Sequence, residues 1–85
     1  VPAVEIYVKT TCGYCWRAKH LLEAKGVEYK EIVVDFGGPD KEAMIQRANG
    51  RMTVPQIFVG DRHIGGCDDL FALERAGRLD EMFSA

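Results

Sequence analysis

The stretch VEIYVKTTCGYCWRAKHLLEAKGVEYKEIVV, residues 4–34, passes from a two-residue period to a helical one and back, with two cysteines three positions apart at the first change. Val4 to Val8 (VEIYV) alternates and is rich in β-branched and aromatic residues, which predicts a strand. Thr10 and Thr11 then offer a helix N-cap. From Cys15 onward Cys15, Ala18, Leu21 and Leu22 recur at helical spacing and leave Arg17, Lys19, His20 and Glu23 for solvent. Gly26 stops that helix, and Val27 to Val34 reads as a second strand. Two strands joined by one helix make a βαβ unit, whose strands run parallel with a right-handed crossover.

The remainder extends this unit. Asp35 to Asp40 (DFGGPD) is turn chemistry, and Pro39 suits the first turn of a second helix reaching about Asn49, with Gly50 as its stop. Gln56 to Val59 and Arg62 to Ile64 flank Gly60-Asp61 as a short hairpin. A third helix opens after Gly65-Gly66 with Asp68 as its N-cap, runs through Leu70 and Leu73, and stops near Gly77. A last short helix from about Leu79 supplies Met82 and Phe83. The expected order is β-α-β-α-β-β-α in one domain spanning residues 1–85: an α/β sandwich with helices on both faces of a four-stranded mixed sheet.

With 47% hydrophobic and 28% charged residues, the composition is that of an ordinary globular protein with one modest core. The 13 acidic and 11 basic residues are well mixed, giving a net charge of −2. No basic stripe faces nucleic acid and no polybasic patch faces a membrane. Apolar runs are only a few residues long, and no charged segment precedes an apolar core near the first residue, so nothing here marks export. Three cysteines, two of them in C-x-x-C, point to redox chemistry rather than to a stapled secreted scaffold. The expected setting is a reducing compartment, the cytoplasm or, if a presequence has been removed, an organelle matrix.

Thiolate, not thiol, is the attacking species, and a helix N-terminus stabilises it through unpaired N–H groups and the dipole. Cys12 is placed at that terminus and reads as the exposed nucleophile, with Lys9 and Arg17 near in sequence to assist. Cys15, one turn inside, faces the core and reads as the resolving thiol. Two intervening residues let the sulfurs meet in disulfide geometry while the first turn is retained. A zinc site would need four ligands, and Cys67, His20 and His63 stand at no ligand spacing.

The segments EIYVKTTCGYCWRAK, TVPQIFVG and HIGGCDDL follow one another in an order and spacing that resembles the glutaredoxins, specifically the small bacterial dithiol type, over almost the whole chain. The resemblance implies a thioredoxin-like fold and a glutathione-dependent thiol–disulfide oxidoreductase acting on glutathionylated and disulfide-containing proteins, as a monomer. It implies a cis bond before Pro55, which turns the Thr53-Val54 backbone toward the active cysteine to pair with the cysteinyl part of glutathione. Gly66, Cys67, Asp68 and Asp69 would meet the γ-glutamyl end with helix N–H groups and a carboxylate. Lys9 and Arg51 would complement the glycyl carboxylate, and Tyr14 would wall the groove. Trp16 takes a more variable position, and His20, His63, Met44, Met52 and Met82 read as surface or core fillers.

Gly13 departs from the family's dithiol motif, which has proline there. A small residue in this place also resembles glutaredoxins that carry a [2Fe–2S] cluster between two subunits, held by the first cysteine of each and two glutathiones. The rival expectation is therefore a cluster-binding homodimer with Cys12 as the ligand.

Overall fold

The structure, a computed structural model, describes residues 2–84. The elements are β1 (Val4–Val8), α1 (Gly13–Ala24), β2 (Lys30–Val33), α2 (Pro39–Arg47), β3 (Gln56–Val59), β4 (Arg62–Gly65), α3 (Cys67–Arg75) and α4 (Leu79–Ser84). The sheet order is β2-β1-β3-β4, with β1 parallel to β2 and antiparallel to β3, and β3 antiparallel to β4. This is the expected four-stranded mixed sheet of a thioredoxin-like fold.

The strand pattern separates two apolar faces. Val4, Ile6, Val8, Ile57 and Val59 pack with Cys15, Ala18 and Leu22 of α1, Cys67 and Leu70 of α3, and Leu79 and Phe83 of α4. On the other face Tyr7 and Phe58 pack with Val34, Met44 and Ala48 around α2. Alternation along β1 thus sends its even-numbered apolar residues to one layer and Tyr7 to the other. Burying one such leucine or isoleucine side chain contributes about 2 kcal/mol.

Three expected boundaries are corrected. The N-cap of α1 is Cys12, not Thr10 or Thr11: Cys12 is extended at φ −121° and its sulfur accepts from the Cys15 N–H. Thr10 instead turns both of its donors to Asp35. The second strand begins at Lys30 rather than Val27, because the Val27 N–H donates to Leu22 O and closes the end of α1. The β1–β2 ladder runs from Glu5↔Lys30 to Val8↔Val33. Gly66, not Asp68, is the N-cap of α3, and the Asp69 carboxylate accepts the Gly66 N–H at 2.9 Å. Asp69 occupies N3, the capping-box position, and so takes the acceptor role that Asp68 was expected to fill.

Candidate active site

Val8 ends β1, an inner strand of the sheet, and Lys9, Thr10 and Thr11 carry the chain from its end to Cys12 at the N-cap of α1. The Cys12 sulfur lies 3.1 Å from the Cys15 nitrogen and 3.9 Å from Val54 O. Cys12 is half-buried rather than open to solvent, while Cys15 is only 2% exposed. All three cysteines are free thiols. Burial, then the hydrogen bond with Cys12, pushes the Cys15 thiol up to about 12, against a smaller opposing pull from the Lys9 backbone. Burial likewise raises Cys67. Of the three, only Cys12 joins access to a helix terminus.

The bond Val54-Pro55 is cis, as the resemblance implied. A groove of about 160 Å³ opens beside it, lined by Tyr14, Arg51, Thr53, Val54, Pro55, Gly66, Cys67, Asp68 and Asp69. Every residue expected at a glutathione site is in this lining except Lys9, which follows β1 with its backbone turned to Cys15. Tyr14 is 60% exposed and forms an open wall.

At the far end of the groove Asp69 is already engaged. Its Oδ2 accepts from Gly66 N at 2.9 Å and from Arg51 Nη1 at 3.2 Å. The Gly66 N–H first, and Arg51 with it, hold its carboxyl below the usual carboxylate range. Asp68, exposed at the same helix start, is the carboxylate left to face a ligand. Gly65 makes the corner possible: at φ +117° it adopts a left-handed conformation, and a Cβ there would run into the Asp69 carboxylate.

Sequence reasoning missed Gln56. This side chain is fully buried, donates through Nε2 to Thr53 O at 3.0 Å and to Thr53 Oγ1 at 3.2 Å, and meets His63 Nε2 at 2.6 Å through Oε1. It holds the groove's Thr53 from behind. Its signal was a polar residue in the otherwise apolar strand QIFV.

Among the described residues no three His, Cys, Asp or Glu side chains are grouped to hold a metal ion. With Cys15 and Cys67 buried, Cys12 is the one accessible thiol among the described residues.

Residues 4–64 match the glutaredoxin family model. The chain is 54% identical to a glutaredoxin of Pseudomonas aeruginosa over 85 residues, the whole of both chains. It is 56% identical to glutaredoxin 3 of Escherichia coli over 79 residues, covering 93% of this chain and 94% of that one. Its structure matches a buckwheat glutaredoxin–glutathione complex with a TM-score of 0.85 at 37% identity, over 98% of this chain and 77% of that one. A glutaredoxin from Brucella melitensis matches with a TM-score of 0.81 at 48% identity, over 96% and 88%. The sulfur at a helix cap, the cis proline opposite it and these relatives agree: the chain belongs to the glutaredoxin family and is a thiol–disulfide oxidoreductase.

Proposed function

We propose that in this glutathione-dependent enzyme Cys12 is the nucleophile, Cys15 the resolving thiol, and the groove from Val54 to the start of α3 the glutathione site. The observation that carries this is the placement of Cys12 Sγ at 3.9 Å from the carbonyl oxygen of Val54, a residue of the groove lining, in a groove that also takes in the N-terminus of α3.

Cys12 thiolate attacks the glutathione sulfur of a protein–glutathione disulfide. The Cys12–glutathione bond forms as the target sulfur leaves with the electron pair. A second glutathione thiolate then attacks the adduct, releasing glutathione disulfide and regenerating Cys12 thiolate. With a protein disulfide, the same attack joins Cys12 to the client, and Cys15 loses its proton and closes the Cys12–Cys15 bond, freeing the client thiol.

The order of the two thiols follows from their surroundings. Burial first, then the hydrogen bond with Cys12, raises the Cys15 thiol. The contribution from Cys12 is lost once its sulfur is in a disulfide, so the Cys15 thiol gives up its proton more readily after Cys12 has reacted than before.

For glutathione, the extended Thr53-Val54 backbone pairs with the cysteinyl unit, the first N–H groups of α3 receive the γ-glutamyl carboxylate, and Asp68 faces its ammonium. Arg51 supplies positive charge beside the groove, where it can meet the glycyl carboxylate. Asp68→Ala is expected to raise KM for glutathione about tenfold, with kcat little changed, from the loss of a charge-assisted contact. An unchanged KM would remove the γ-glutamyl end from α3. Among the described residues no helix is long and apolar enough to cross a membrane, and the reducing chemistry suits the cytoplasm.

A further inference from the structure

We propose that Asp35 is a positioning residue for the Cys12 nucleophile, acting through Thr10; the inference rests on Cys12 being the attacking sulfur.

Residues 9–12 form the short turn that delivers Cys12 to the N-cap of α1. Its far end is held by the helix, through Cys15 N to Cys12 Sγ at 3.1 Å and Trp16 N to Cys12 O at 3.2 Å. Its near end is held from another element. The β1–β2 pairing continues one residue past β2, where Val34 N donates to Val8 O at 2.9 Å. The next residue, Asp35, is thereby brought under the turn. Its Oδ1 accepts the Thr10 N–H at 2.8 Å and its Oδ2 accepts the Thr10 hydroxyl at 2.6 Å. A carboxylate receiving a backbone and a side-chain donor from one residue fixes that residue's position and rotation together. Those two donors, with Lys9 contributing through its charge, hold the Asp35 carboxyl below its usual range.

The consequence reaches the sulfur through two peptide units. Thr10 and Thr11 are the residues that composition would choose to cap α1, and Asp35 removes Thr10 from that competition by taking its hydroxyl. The cap is Cys12, with its sulfur against the Cys15 amide and across from Val54. Releasing Thr10 would let the hydroxyl and the thiol exchange that role and would blur the aim of the sulfur. Because a fixed negative charge near a thiolate acts in the opposite sense, charge and position predict different results when Asp35 is changed.

The experiment measures the rate of Cys12 alkylation by iodoacetamide at pH 7 by peptide mapping, together with kcat and KM for glutathione, in the wild-type protein and in Asp35→Ala, Asp35→Asn, Thr10→Val and Thr10→Ser. An asparagine keeps an acceptor for the Thr10 N–H and can donate to its hydroxyl oxygen while losing the charge. Positioning predicts that Asp35→Ala slows alkylation and kcat about fivefold and Thr10→Val about twofold, with KM for glutathione within about twofold. Asp35→Asn and Thr10→Ser are expected to stay near the wild-type rates. Wild-type rates in Asp35→Ala, or faster alkylation in both Asp35 variants alike, would overturn the proposal, the second result by showing a charge effect alone. If mapping of the wild-type protein instead finds Cys12 unreactive, the assignment of the nucleophile itself fails, which is a separate result.

Discussion

The backbone N–H of Cys15 points at the sulfur of Cys12 across 3.1 Å, so the acceptor that caps α1 is the reactive thiol itself. Structure and chemistry meet at one atom: the sulfur that satisfies an orphan helix donor is the one proposed to attack a disulfide. A hydrogen bond of this kind contributes about 0.5–1.5 kcal/mol.

This arrangement separates catalysis from stability at position 12. Serine is a preferred N-cap, so Cys12→Ser is expected to keep α1 and to match or exceed the wild-type unfolding free energy by up to about 1 kcal/mol. It should nonetheless abolish reduction of both glutathionylated and disulfide-bonded substrates. Cys15→Ser should retain at least about half of the deglutathionylation rate and lose protein-disulfide reduction, since only the second reaction uses the resolving thiol. Coupled turnover assays beside urea titrations check both halves; an active Cys12→Ser protein would refute the assignment.

The three thiols should be modified in a fixed order. Cys15, raised to about 12 by burial and by Cys12, remains protonated through pH 6–9, and burial raises Cys67 as well. A raised thiol pKa means less thiolate at any pH below it, and both sulfurs are also shielded, at 2% and 5% residue exposure. Iodoacetamide in limited amount at pH 7 is expected to label Cys12 at least tenfold faster than either. Peptide mapping that found Cys67 labelled first would contradict this.

Gly13 is open to improvement. It is the first residue of α1, Cys12 before it is extended at φ −121° and ψ 109°, and a Cβ at Gly13 meets nothing within 4 Å. Those are the conditions a proline at N1 needs, both in its own place and for the residue it follows. Gly13→Pro should raise the unfolding free energy by about 0.5–1 kcal/mol through the unfolded chain, with the fold unchanged. A lower urea midpoint would show that the Gly13 N–H has a role in the folded protein.

Gly65 is the opposite case. Its φ of +117° excludes other residues, and a side chain would displace the Asp69 carboxylate from both Gly66 and Arg51. Gly65→Ala is expected to cost about 1–3 kcal/mol of stability and to raise KM for glutathione about tenfold, because the start of α3 loses its cap. Thermal unfolding and steady-state kinetics on the same preparation test the coupling between the two effects.

What was legible in the sequence is what burial enforces. The alternation of Ile6, Tyr7 and Val8 maps onto two opposite core faces, and the spacing of Cys15, Ala18 and Leu22 onto the inner side of α1, so element order followed from periodicity. The errors fall where a polar group had distant partners to choose from. Thr10 looks like a cap until Asp35, 25 residues away, takes its hydroxyl. Asp68 and Asp69 are indistinguishable as caps until the turn at Gly65 aims one of them at the Gly66 N–H. Of the residues the resemblance brought to the groove, Lys9 alone is not in its lining. Gln56 was overlooked because its partners, Thr53 and His63, come from either side of β3.

The most direct measurement is the fate of glutathione itself. Cys15→Ser protein, mixed with a glutathionylated peptide and without free glutathione, is quenched in acid and mapped by mass spectrometry. One glutathione per chain on Cys12, removed by adding reduced glutathione, is the predicted result. Glutathione on Cys67, or none on the chain while the peptide is still reduced, would contradict the account.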